Sequence, residues 1–252
     1  MTLALALLTG ASGLVIGVLM GLFGVGGSSV ATPVLSLLGV PALAAVASPL
    51  PATIPAATLA ARRYITAGEA RTRAAAWSLV GGIPGTVVGA LLSQVVGGSA
   101  LLLASGIALV AVGTRIIRPI SDVDRASGGR RRQNRPLLIA ACATVGLLTG
   151  LLANGGGFLF VPLYLLVFGL RMRQAVGTSL LVIAVLSMPT LATHWALGHV
   201  NWSVATAFAG GLLPGAAVGG HIAHLLPGPS VRRSFGWFLA GFGVLFTVYR
   251  LA

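Results

Sequence analysis

Lysine is absent from this 252-residue chain, and Glu69, Asp122 and Asp124 are its only acidic residues. Charged residues make up 8% of the sequence, against roughly 25% in a soluble domain, which excludes a water-soluble fold. The three acids all fall in polar connectors, so the apolar stretches lack the carboxylate that usually couples a membrane pathway to protons or cations. A single cysteine, Cys142, excludes an intrachain disulfide and makes thiol redox chemistry an unsuitable reading. Its apolar surroundings predict a buried, inert thiol. No nucleophile–base pair lies within an apolar run, which argues against an intramembrane enzyme. His221 and His224, at i and i+3, lack the further ligands that a metal would need. They read as interfacial anchors near the end of a span, with a proton relay as the minority reading. No cofactor is implied. The first residues lack the basic stretch of a signal peptide, so they are read as mature structure.

What the chain has is hydrophobic length: 56% of its residues are hydrophobic and the mean hydropathy is +0.99. One spanning helix needs ~20 apolar residues, so roughly seven to ten segments fit, with no sizeable soluble domain. The apolar segments run over 3–23, 28–39, 43–61, 74–96 and 99–117, then 137–153, 157–170, 174–196, 203–226 and 234–251. The second segment of each half is too short to span comfortably. It reads as a half-helix or the returning arm of a re-entrant hairpin.

The net charge of +13 comes with 16 arginines, placed in the short gaps between apolar runs. That is the distribution of topology signals rather than of a nucleic-acid surface. The basic stretch around Arg130, Arg131 and Arg132 reads as a solvated cytoplasmic connector. His194, Trp195, His199 and Trp202 cluster in an arginine-free gap, where aromatic-belt residues belong.

The two halves repeat. Gly17, Gly21, Gly26, Gly27 and Pro33 recur as Gly146, Gly150, Gly155, Gly156 and Pro162, an offset of 129. After a one-residue shift, Ser48 aligns with Thr178, and Gly81, Pro84, Gly85 and Gly89 align with Gly211, Pro214, Gly215 and Gly219. The expected fold is an all-α integral membrane protein built from two inverted repeats of transmembrane helices. Each repeat contains a glycine-broken or re-entrant helix pair. Residues 1–117 form the first repeat, 118–136 a cytoplasmic basic connector and 137–252 the second repeat. Inversion follows from charge: it places 15 of the 16 arginines on the cytoplasmic side, whereas parallel repeats place 12 there. Both termini are then outside.

Two glycine stretches inside apolar runs carry the functional reading. Gly26, Gly27, Ser28 and Ser29 open one short helix, and Asn154, Gly155, Gly156 and Gly157 open its counterpart. The first N–H groups of a helix lack internal partners, and the helix dipole adds partial positive charge there. Glycine lets a ligand approach closely, so each opening can hold an anion without a formal charge. The competing reading is that these glycines only allow tight helix crossing. Ser48, Thr53, Thr178 and Ser179 add hydroxyls on the next helix of each half. They could replace part of an oxyanion's hydration shell, or bond back to their own helix carbonyls. The glycine ladders Gly81/Gly85/Gly89 and Gly211/Gly215/Gly219 read as packing faces.

In the duplicated stretch from Gly17 to Gly27 and from Gly146 to Gly156, with Pro33, Pro162 and the Gly-Gly-x-x-Pro-Gly motif at Pro214, the chain resembles the sulfite exporter TauE/SafE family of bacterial permeases. Gly81-Gly82-Ile83-Pro84-Gly85 is a version of that last motif one residue shorter. The resemblance covers nearly the whole chain. It implies a multi-pass protein of the bacterial inner membrane that moves sulfite, an organosulfonate or a related sulfur oxyanion. Ser28 and Ser29 stand where many relatives have a third glycine, so the two half-sites need not be equivalent. The expected function is therefore a secondary permease, not an enzyme, exporting a small sulfur-containing anion bound at the midplane. The alternatives are proton-coupled uptake of another small anion and a non-transporting assembly role. The implied partners are the small anionic substrate and the lipid bilayer, with nucleic acid excluded and homo-oligomerisation left open.

Overall fold

A computed structural model describes residues 2–92, 110, 113–117, 135–151 and 157–251. Among these the regular structure is entirely α-helical: α1 (Leu3–Phe23), α2 (Gly27–Leu37), α3 (Ala42–Ala47), α4 (Leu50–Thr66), α5 (Thr72–Leu92), α6 (Arg135–Leu151), α7 (Gly157–Leu166), α8 (Met172–Ala196), α9 (Trp202–Leu225) and α10 (Gly228–Leu251). Among the described residues, four stretches are long and apolar enough to cross a membrane: Leu3–Phe23, Leu43–Thr66, Met172–Ala196 and Trp202–Leu225. By contrast α2 has 11 residues and α7 has 10. At 1.5 Å per residue these are ~15–17 Å long, about half a bilayer core.

Local chemistry sets the helix ends. Thr2 Oγ1 accepts the Leu5 N–H at the start of α1. Gly24 ends that helix in the left-handed region at φ 69°, its N–H donating to Met20 O, a conformation glycine adopts at no steric cost. The third apolar segment breaks at Ser48–Pro49 into α3 and α4, because proline at 49 has no N–H to continue the ladder. Asn201 Oδ1 caps α9 by accepting from Ser203 N and Val204 N.

The turns repeat in three dimensions. Gly68 N–H bonds to Ile65 O and Glu69 N–H to Tyr64 O, while Gly198 N–H bonds to Trp195 O and His199 N–H to His194 O. Each pair of equivalents stands 130 residues apart. A side-chain bond repeats as well: the Asn201 N–H donates to Ser48 Oγ at 3.0 Å, and the Arg71 N–H donates to Thr178 Oγ1 at 3.0 Å. Arg71 and Asn201 are again 130 apart.

Small residues set the helix pairing. A Cβ added to Gly13 would meet Phe208, one on Gly17 would meet Leu212 and Ala216, and one on Gly21 would meet Ala216 and Gly220. Both residue numbers rise together, so α1 and α9 run in the same direction. Helices α5 and α6 do likewise, with Gly81 on Ile139 and Gly85 on Ala143. Gly211, Gly215 and Gly219 face Gly10, Leu14 and Val18, so this ladder is a packing face, as are Gly81 and Gly85 of the other, in keeping with their spacing. Helices α4 and α8 instead cross with opposite sense: Tyr64 packs on Gly177, while Ser48 reaches Asn201. Helices α1 and α9, α5 and α6, and α4 and α8 are the pairings a two-fold relation between the halves requires. The opposed α4 and α8 agree with inversion.

The core between these pairs is aromatic and aliphatic, with Tyr64, Phe160, Tyr164, Phe208 and Phe235 fully buried. Cys142 is buried too, its thiol 3.4 Å from Ser78 Oγ, as its apolar surroundings predict.

Candidate functional site

The chain reverses sharply at Gly24-Val25-Gly26 and starts α2 at Gly27. All four residues are buried. Gly26 is the N-cap, and no side chain caps the helix. Gly24 lies against Val161 of α7 and Val176 of α8, with their nearest atoms 3.1 Å from a Cβ position. The opening of α2 therefore sits where the two halves meet. Its depth is read from Gly27, which faces Thr53 Oγ1 and Leu212. Leu212 is about halfway along α9. The counterpart helix α7 starts at Gly157, and Phe160 in its first turn packs on Gly82, about halfway along α5. Asn154, Gly155 and Gly156 lie outside the described residues. So do most of the connector 118–136 and of the segment 99–117.

Thr53 and Ser179 lie against this opening, but the hydroxyls are largely committed elsewhere. Thr53 Oγ1 donates to Pro49 O at 2.9 Å and Thr178 Oγ1 donates to Gln174 O at 2.6 Å. Ser179 Oγ donates to Gly24 O at 3.1 Å. A hydroxyl has one hydrogen, so these three have none left for an anion in this conformation. For Thr53 and Thr178 the back-bonded reading holds. Ser179 instead pins the reversal before α2. Ser48 accepts from Asn201 N–H at the far end of the bundle from Tyr64. Ser28 is fully buried and lies in the first turn of α2, as does Ser29.

A second polar group gathers at the end of the bundle where α4 and α9 finish and α8 and α10 begin. Glu69 Oε1 lies 3.5 Å from Arg173 Nη1, and Glu69 Oε2 lies 3.2 Å from His224 Nε2. Arg173 Nη2 also donates to His224 O and Leu226 O at 3.1 and 3.0 Å. His224 Nδ1 is 2.7 Å from Gly220 O. A carbonyl only accepts, so this nitrogen carries hydrogen. Nearby, Arg63 Nη1 and His221 Nδ1 are 2.9 Å apart. A cavity of about 600 Å³ opens here, lined by Glu69, Arg171, Met172, Arg173, Gln174, Gly228 and Pro229. Hydropathy did not single out Glu69 or Arg173. The available signal was rarity, since Glu69 is the one acid outside the central connector.

The arginines at 62, 63, 71, 73, 171, 173, 232 and 233 all sit in or beside the helix ends that form this face. At the opposite face His194 and His199 pair at 3.2 Å and Trp195 meets Trp202 edge-on.

The sequence profile of the family described as sulfite exporter TauE/SafE matches residues 9–246. The chain belongs to this family. Among its curated relatives is a probable membrane transporter protein of Xylella fastidiosa (strain Temecula1), 31% identical over 94% of this chain and 92% of its own length. The probable membrane transporter protein YunE of Bacillus subtilis is 30% identical over 57% of this chain and 56% of its own. No solved structure matches the chain. The chain is thus a multi-pass membrane transporter of the TauE/SafE family.

Proposed function

We propose that the protein is a permease for a small sulfur-containing anion, sulfite or an organosulfonate, and that it works in the export direction across the bacterial inner membrane. The single observation that carries this reading is the start of α2. It is a buried helix N-terminus at mid-depth, opened by glycines, without a side-chain cap and placed between the halves. Such a terminus favours negative charge, and non-helical backbone at this depth is tolerated where it is packed in protein or lines a cavity. The N–H groups of Gly26 to Ser29, with those of Asn154 to Gly157 from the other half, form the anion site. Thr53, Thr178 and Ser179 hold the surrounding backbone in place, and Ser48 braces the outer turn. The halves are inverted repeats that rock about this site, with both termini outside and the connector 118–136 in the cytoplasm. An inside-negative potential favours exit by ~2.3 kcal/mol per charge per 100 mV, so a dianion leaves without a coupling ion.

The test is flux in proteoliposomes under an imposed potential, with sulfite, sulfoacetate, thiosulfate, sulfate and acetate compared. Potential-driven flux of a sulfur oxyanion, lost in Gly27→Leu, is expected. That side chain would enter space now bounded by Thr53 Oγ1 at 3.3 Å and Leu212 at 3.4 Å from a Cβ. Absence of flux for every anion overturns the reading. A second reading, proton-coupled uptake of another small anion, draws support from the contact between His224 and Glu69, with His221 beside it. It predicts flux only under a pH gradient, lost when both histidines are replaced.

A further inference from the structure

The central site does not account for the 600 Å³ cavity at the arginine-rich face. We propose that this cavity is an anion-capture site, in which the Glu69 carboxylate occupies, on Arg173, the place that an arriving oxyanion takes. The inference rests on the anion-permease reading above and adds an entry step to it.

Three observations carry it. First, the cavity wall holds two guanidinium groups, Arg171 and Arg173, and one carboxylate, Glu69. Guanidinium is the side chain best matched to sulfonate, carboxylate and other oxyanion geometries. Second, Arg173 is built in rather than splayed toward lipid head groups. Its side chain is 32% exposed, and Nη2 is fixed by the carbonyls of His224 and Leu226. Its contact with Glu69 is 3.5 Å, longer than the 2.7–2.9 Å of a charge-assisted hydrogen bond. That pair is held by Coulomb attraction in a partly wet setting, which another anion can exchange into. Third, the arrangement is not an echo of the repeat. At the opposite face the positions equivalent to Glu69, Arg171 and Arg173, 130 residues away, are His199, Pro41 and Leu43. The turn geometry is duplicated, but the charged lining is not, so backbone packing alone does not require it. Glu69 meets Arg173 of α8 and His224 of α9 directly and shares the cavity wall with Arg171, just before α8, while the Tyr64 ring of α4 lies tilted against His224 at 4.8 Å. Glu69 bridges a turn of the first half to two helices of the second. Its displacement by cargo therefore loosens this face as the anion enters.

Gly228→Cys provides a local probe. A Cβ at Gly228 meets nothing within 4 Å, and the native Cys142 is buried, so the new thiol reports alone. In inverted membrane vesicles, labelling by an impermeant maleimide is followed against sulfoacetate, with sulfate in parallel and chloride at equal ionic strength as baseline. Saturable protection by sulfoacetate or sulfate is expected. Glu69→Gln should lower the half-protecting concentration about fivefold, the factor carried by a partly exposed ion pair. Arg173→Gln should abolish protection. Arg171→Gln, at an exposed position outside the ion pair, should raise the half-protecting concentration and serves where Glu69→Gln does not fold. Labelling that neither anion slows overturns the capture site, as does an unchanged half-protecting concentration in folded Glu69→Gln. Loss of the permease reading is seen separately, as absence of flux in the unmodified protein.

Discussion

The contact between α1 and α9 can be tested with two alanines on one helix. Gly215 faces α1: its Cβ would collide with Leu14 O and lie 3.0 Å from both Gly17 Cα and Val18 N. Carbon atoms settle at about 3.5–4.0 Å, so Gly215→Ala forces the two backbones apart by roughly half an ångström or more. No side-chain rotation can relieve this, because the obstructing atoms are all main chain. Overpacking of that kind costs about 1–3 kcal/mol. Gly210, five residues earlier on the same helix, has nothing within 4 Å of its Cβ. There alanine adds only helix propensity, a gain of up to about 1 kcal/mol. The two variants carry the same chemical change and should differ by about 1–4 kcal/mol, Gly215→Ala being the less stable. Thermal unfolding of the purified protein in detergent, read against the unmodified chain, measures the difference. Equal stability of Gly210→Ala and Gly215→Ala would refute the close α1–α9 approach and the packing role of the ladder.

Two further predictions concern hydrogen bonds between helices and turns. Tyr64→Phe removes a fully buried hydroxyl that donates to Gly21 O at 2.8 Å, and should lower stability by about 0.5–1.5 kcal/mol in the same unfolding assay; no loss would mean the bond contributes nothing. Thr178→Val and Ser48→Ala each deprive one turn amide of its acceptor, Arg71 N–H in the first case and Asn201 N–H in the second. Hydrogen exchange should quicken at Arg71 alone in the one variant and at Asn201 alone in the other; unchanged exchange at either amide would show that its bond is not formed in solution.

Membrane character and the duplication were legible in the one-dimensional sequence. Hydropathy, glycine spacing and arginine placement are properties of residue order, and the bilayer constrains that order strongly. The segment 3–23 coincides with α1, and the short second segments are helices too short to span, as their lengths implied. The ladders at Gly81 and Gly211 could be read as packing faces because only close helix approach rewards a small residue every fourth position. The break at Ser48 falls at Pro49, which lacks the N–H that would continue the ladder.

The tertiary structure alone decided which partner each polar atom finds. Thr53, Thr178 and Ser179 read from sequence either as donors to an anion or as bonded back to their own helices, and each spends its one hydrogen on a carbonyl. A hydroxyl's choice among donors and acceptors depends on distances of a few ångströms that no pattern of residue types encodes. The same holds for the group at the arginine-rich face. Glu69, Arg173 and His224 come from three stretches separated by 104 and 51 positions, and only the crossing of α4, α8 and α9 brings them together. Sequence order determined that this protein lies in a membrane as two related halves. Where its few charges meet was decided by the packing of one half against the other, because charge contacts are short-ranged and the chain segments that supply them are not neighbours until the helices dock.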